Sequence, residues 1–135
     1  MEAIVEAAPV SKPMLWTGRA LSVVVVLFLL MDCSMKFTDM EVVKASMAQL
    51  GFPIALDRLI GAVELVCLVL YAVPRTSVLG AILLTGLLGG AIASHLRVAD
   101  PLFSHVLFGV YVGLMAWGGL YLRDARLRTL IPVRR

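Results

Sequence analysis

Cysteine is nearly absent. The 135 residues hold two, Cys33 and Cys67, at no spacing that suits a redox pair or a zinc site. A disulfide framework is therefore not expected, and both thiols read as small apolar groups. Histidine is as scarce: His95 and His105 are the only two. No basic face is interleaved with aromatic residues, which argues against nucleic-acid binding. No binding motif for flavin, haem, nucleotide or iron–sulfur cofactors is present, so electron transfer would need a partner protein or a diffusible quinone. No small-x-small cleavage site follows the first apolar run, and Asp32 stands where a lipoprotein signal needs a small residue. That run is read as a retained helix.

What is abundant is apolar. The chain is 61% hydrophobic with a mean hydropathy of +0.97, against about 45–50% apolar in soluble domains. Four runs stand out, at about Leu15–Met35, Leu56–Val73, Ser77–Leu96 and Leu102–Leu122. Each approaches the ~20 residues that cross a bilayer core. The joints Pro74–Thr76 and Arg97–Pro101 are short, which makes neighbouring helices antiparallel. The expected fold is all-α: an integral membrane four-helix bundle over residues 15–122. It is flanked by a disordered cytoplasmic tail at 1–14 and a basic cytoplasmic tail at 123–135. No internal repeat is evident, and one domain is expected.

The long connection Lys36–Ala55 carries helix signals of its own. Thr38 with Glu41 fits a capping box. Gly51 fits a helix C-terminus and Pro53 forbids continuation. Met40, Val43, Met47 and Leu50 share one face, so a short amphipathic helix is predicted at the membrane surface, with a binding lid as the functional alternative. Lys12, Arg19, Arg75, Arg123, Arg126, Arg128, Arg134 and Arg135 fall on one side, and Lys36, Lys44, Arg58 and Arg97 on the other. The excess places both termini in the cytoplasm.

Gly86, Gly90 and Ser94 in the third run, and Gly109 and Gly113 in the fourth, recur every four residues. This spacing predicts close packing of those two helices. His105 precedes Gly109 by four residues, which would aim it into the bundle. Glu64 lies seven residues beyond Asp57, about 10 Å deeper, and Asp57, Gly61, Glu64 and Tyr71 share a face. A carboxylate at such depth must be protonated, paired or facing a wet cavity. Its candidate partners lie on the same side: Asp32 and Lys36 one turn apart, then His95, Arg97 and His105. Together they predict an outward-facing polar pocket, with Glu64, His95 and His105 exchanging protons. Arg97 or Lys36 would hold an oxyanion or a quinone oxygen, and Asp32, Asp57 and Tyr71 complete the expected substrate-binding set. A spacing of ten residues between the histidines does not suit a metal site, and none is expected. The competing explanation is a buried ion-pair network that fixes helix register.

The stretches "MDCSMKF", "ELVCL" around Glu64, "PRTSVLGAILLTG", "GGAIASHLRV", "PLFSHVLF" and "WGGLYLRD" resemble the DoxX-like family of small four-helix bacterial membrane proteins. The similarity runs from about Leu21 to Pro132. Asp32, Lys36, Glu64, His95, Arg97 and His105 match recurrent positions of the family pattern, whereas Cys33 stands where a glycine often follows the aspartate. The family takes its name from a membrane subunit associated with a thiosulfate:quinone oxidoreductase. Other relatives are linked to membrane redox complexes, and distant ones resemble chaperones for membrane receptors. The resemblance implies residence in the bacterial inner membrane as an accessory or quinone-interacting subunit of a redox complex, with a protein partner there. Two alternatives are a non-enzymatic assembly factor and a stand-alone intramembrane acid–base enzyme or small-molecule carrier. The glycine faces also allow a homodimer.

Overall fold

The computed structural model describes residues 8–133. Helix α1 spans Lys12–Phe37, α2 Glu41–Leu50, α3 Asp57–Ala72, α4 Ser77–Arg97, α5 Phe108–Arg123 and α6 Ala125–Leu130. A 3-10 turn at Ile54–Leu56 leads into α3, and a π-helical turn at Leu102–Val106 leads into α5. Ser11 opens α1 by accepting from the Met14 amide, with Pro13 in the first turn, where its missing N–H costs nothing. Helix therefore begins inside the expected 1–14 tail, while residues 1–7 and 134–135 of the two expected tails lie outside the described residues.

Among the described residues, three helical segments are long and apolar enough to cross a membrane: Lys12–Phe37, Ser77–Arg97 and Leu102–Arg123. Helix α3 has 16 residues and reaches about 24 Å, short of a ~30 Å hydrocarbon core. The long helices alternate in direction. Helix α1 packs against α3 and α5, and α4 packs against the same two. One end of the assembly, the proximal end, carries Lys12, the α3–α4 joint and α6. The other, distal, end carries Phe37, α2 and the α4–α5 connection.

The interior holds Val25, Leu29, Leu68, Leu84, Val112 and Leu120, with Tyr71 fully buried. The outward faces are just as apolar: Val23, Val24, Leu27, Leu30 and Met31 of α1 are all about half exposed. Water does not tolerate apolar patches of that extent, but lipid does. The apolar helices identify a membrane protein.

Glycine sets the seams, though not where the spacing predicted. A Cβ at Gly18 would lie 2.7 Å from the Gly119 carbonyl, and one at Gly119 would lie 2.5 Å from the Ser22 hydroxyl. Two of the transmembrane segments, α1 and α5, thus meet nearly backbone to backbone. At Gly80, a Cβ would overlap the backbone of Leu70 and Tyr71, so α4 folds tightly onto α3. Thr76 and Ser77 close that hairpin by donating to the carbonyls of Leu70 and Val73 at 2.7 and 2.9 Å. By contrast, a methyl group added at Gly86 or Gly90 would meet nothing within 4 Å. Their face is open, and Gly109, against Ile92 and Leu88, makes the close α4–α5 contact that was expected of the whole stripe. The repeat of four identified small residues but not the direction in which they face.

The surface helix forms where predicted, and Gly51 ends it in the left-handed conformation at φ 76°. Val43 and Met47 are its buried face, whereas Met40 is exposed. Its capping differs. Thr38 donates back to the Ser34 carbonyl at 2.9 Å and terminates α1, and Met40 takes the N-cap position of α2 without a side-chain bond. The hydroxyl adds a second bond to the Ser34 carbonyl, which already accepts from the Thr38 amide, instead of satisfying an orphan amide of the shorter helix. Beyond α5, the basic segment includes α6, capped by Asp124 and anchored by the buried Leu127.

Candidate functional site

The last turn of α1 places Asp32 and Lys36 four residues apart on one face, the spacing at which side chains meet. Gly61 lets α3 approach: the Lys36 Cβ lies 3.1 Å from where a Gly61 methyl would sit. Lys36 Nζ then bonds Glu64 Oε2 at 2.9 Å and the Asp32 carboxylate as well. The Glu64 side chain is 4% exposed and that of Lys36 14%. Cys33, on the same turn, donates its thiol to the Gly61 carbonyl at 3.5 Å. Glu64 Oε1 and Asp57 Oδ2 are buried with no hydrogen-bond partner among the described residues. Asp57 stands at the start of α3, where its other oxygen accepts from the Arg58 amide.

A second group assembles at the α4–α5 connection. Ala99 takes a positive φ of 56°, which turns the chain sharply and returns Asp100 to the end of α4. Its Oδ2 lies 2.6 Å from His95 Nδ1, and its Oδ1 accepts from Gln49 of α2 at 2.6 Å. Arg97 donates to the Leu50 carbonyl at the end of α2. The His105 ring lies 5.8 Å from that of His95, edge to face. Its Nδ1 is 2.7 Å from the Ser104 hydroxyl. His105 sits in the π-helical turn that leads into α5. The wider turn rotates the side chain off the stripe that an unbroken α-helix would have continued through Gly109. As a result His105 is exposed instead of pointing into the bundle.

Of the six distal candidates, Asp32, Lys36 and Glu64 therefore meet between α1 and α3, His95 and His105 lie together between α4 and α5 with Asp100 beside them, and Arg97 turns instead to the end of α2. No hydrogen bond or ion pair joins the two groups among the described residues. Helix α2 crosses between them, starting a short turn after α1 and ending against Asp100 and Arg97. Asp57 adjoins the first group by its place on α3. Tyr71 stands apart from both: its hydroxyl bridges Ser22 at 2.8 Å and the Ala116 carbonyl at 2.7 Å, deep in the core. Three partners were missed in the sequence, namely Asp100, Gln49 and Ser104. Asp100 lies five residues from His95, a separation that signals contact only once the turn at Ala99 is known.

Chemically, the first group couples two carboxylates to one ammonium and leaves a buried carboxylate oxygen free to take a proton. The second holds one imidazole by a carboxylate and another by a hydroxyl. No three His, Cys, Asp or Glu side chains come together as a metal-binding set among the described residues.

No curated protein and no solved structure matches the chain. The DoxX-like family pattern does match, over residues 20–119. That span runs from α1 into the last turns of α5 and takes in both polar groups, so by sequence and by the elements it covers this chain belongs to the DoxX-like family.

Proposed function

We propose that the chain is an inner-membrane subunit of a bacterial redox complex, in which the Asp32–Lys36–Glu64 group handles protons for a quinone-linked reaction. In this reading all four long helices cross the bilayer as an antiparallel bundle, α3 using the turn at Ile54–Leu56 to complete its span. Both termini face the cytoplasm, in keeping with the lysine and arginine distribution. The electrons come from a partner subunit, and this chain supplies a proton-binding group and a place for the quinone.

One observation carries the proposal. Glu64 is buried, bonded to Lys36 through one oxygen, and left with the other oxygen unpartnered among the described residues. In a group built only to hold helices in register a buried, unpartnered oxygen is a pure cost, whereas in a group that takes up and releases a proton it is a place for that proton.

The test is gentle purification from native membranes of wild type and Glu64→Gln, with mass spectrometry of co-purifying proteins and a decylubiquinone reduction assay on the isolated complex. An oxidoreductase subunit is expected to co-purify with both. The rate in Glu64→Gln is expected to fall about a hundredfold, the scale of general acid–base catalysis. An unchanged rate in an assembled complex refutes the proton role. The assembly-factor alternative draws on the uncovered face at Gly86, Gly89 and Gly90, which could seat a partner helix. It predicts co-purification with no effect of Glu64→Gln beyond stability.

A further inference from the structure

The charges of this chain are sorted by end. Of the described acids, Asp32, Asp39, Glu41, Asp57, Glu64 and Asp100 lie in the distal half, and only Asp124 is proximal. The proximal end gathers Lys12 and Arg19 of α1, Arg75 of the α3–α4 joint, Arg123 of α5, and Arg126 and Arg128 of α6. Distal cations are all engaged: Lys36, Lys44 and Arg58 with carboxylates, Arg97 with the Leu50 carbonyl. No proximal cation forms an ion pair among the described residues; Glu2 and Glu6 lie outside them. Asp124 commits Oδ1 to the Arg126 amide as a helix cap, and Arg128 is turned back to the Met14 sulfur and the Ala8 carbonyl.

Arg123 is the inner member of this set. Its main-chain nitrogen lies 3.1 Å from where a Gly18 methyl would sit, and its guanidinium stacks over the Tyr71 ring at 5.9 Å. Its Nε is buried with no hydrogen-bond partner among the described residues. A guanidinium N–H removed from water without an acceptor is a cost that an incoming anion removes. The depth is that of lipid headgroups. Gly18 is two residues from Trp16, a rise of about 3 Å. Trp16 is 64% exposed, with the Arg19 guanidinium over its ring at 5.2 Å, and exposed tryptophan beside arginine belongs at the membrane–water interface. Past α6, Leu130, Ile131 and Val133 are exposed as well, so apolar side chains border the cations.

We propose that the proximal end binds the phosphate of an anionic phospholipid, with Arg123 as the inner donor and the exposed Arg19, Arg75 and Arg126 on the surface around it. This goes beyond the redox reading and does not depend on it. A guanidinium offers parallel N–H groups to two phosphate oxygens, and exposed cations draw anionic lipids from the leaflet. A zwitterionic lipid fits less well, because its choline adds a cation where cations are already in surplus. A soluble phosphate fits less well too, because it leaves the apolar border of Trp16, Leu130 and Ile131 unused.

Trp16 reports occupancy. In a Trp117→Phe background in phosphatidylcholine nanodiscs, phosphatidylglycerol with brominated chains should quench Trp16 about fivefold more effectively than brominated phosphatidylcholine at equal mole fraction. Arg123→Met should remove most of that preference. Arg123→Lys should restore only part of it, since lysine returns the charge without the planar fork. Arg75→Gln removes the same charge from an exposed, screened position and should change the preference less than about twofold. Circular dichroism in phosphatidylcholine checks the fold of each variant. If Arg123→Met does not fold, Arg123→Lys carries the test, with a preference below that of Arg75→Gln. Equal quenching by the two brominated lipids overturns the proposal. So do equal losses in Arg75→Gln and the Arg123 variant, which would mean diffuse surface charge alone. Displacement of the brominated lipid by inorganic phosphate would assign the site to a soluble ligand and overturn it as well. A preference that emerges only after Glu2→Gln with Glu6→Gln would give Arg123 to the chain's own N-terminus, with the same consequence.

Discussion

Replacing Lys36 by methionine removes the only ammonium from a group with two carboxylates, one of them on a side chain 4% exposed. Methionine keeps much of the length and the apolar stem of the lysine, so packing against Gly61 is preserved and the charge is the variable. Breaking a buried ion pair by deleting one partner costs about 3–5 kcal/mol. The loss also has a ceiling. An orphaned carboxylate escapes by taking up a proton, which at pH 7 costs an ordinary glutamic acid about 3.7 kcal/mol. Lys36→Met should therefore lose about 3 kcal/mol at pH 7. Because the folded variant then holds a proton that the unfolded chain releases, the loss should shrink as pH falls toward about 4. Adding Glu64→Gln should recover most of it, leaving the double variant within about 1–1.5 kcal/mol of wild type, since an amide needs no counter-charge. The assay is reversible unfolding in mixed detergent micelles, followed by circular dichroism from about pH 5 to 8, as a double-mutant cycle. Additive losses, or a Lys36→Met penalty that does not change with pH, would refute the reasoning. Either result would mean that the three side chains are solvated and not coupled.

Two further outcomes follow from the packing. Gly80→Ala forces a methyl group into the backbone of Tyr71 and Leu70 and should cost more than about 3 kcal/mol by the same unfolding assay. Gly86→Ala meets open space and should be neutral or stabilising by up to about 1 kcal/mol through helix propensity. The combination Gln49→Ala with Arg97→Ala removes the contacts from α2 to the α4–α5 connection. Amide exchange in Glu41–Leu50 should accelerate by about tenfold or more, while exchange in α1 and α5 stays unchanged.

The long helices were legible because lipid imposes one simple rule, length and apolarity, that composition alone records. Helix α1 and the Ser77–Arg97 and Leu102–Arg123 segments satisfy it, and the surface helix announced its end through Gly51 and Pro53. What could not be read was direction around each helix axis. When both the inside and the outside of a bundle are apolar, hydropathy no longer points inward. That is why Gly86 and Gly90 looked like a seam and are open, while Gly18, in a helix of valines and leucines, sits hard against Gly119. In the candidate site, shared depth and the need to neutralise a buried charge put Lys36 among five candidate partners of Glu64, without singling it out. The His95–Asp100 pairing was not legible, because it depends on a single residue with positive φ. The orientation of His105 was missed for a related reason: the wider turn at Leu102–Val106 re-aims every side chain in it.

Tyr71, on α3, touches each of the other long helices. Its hydroxyl joins α1 through Ser22 and α5 through Ala116, its ring lies under the Arg123 guanidinium of α5, and its backbone abuts Gly80 of α4. Polar attachments to two neighbouring helices and a glycine seated against it from a third meet in this one residue. It is a single joint: one hydroxyl ties α3 to α1 and α5 together, so that its loss would loosen both attachments at once.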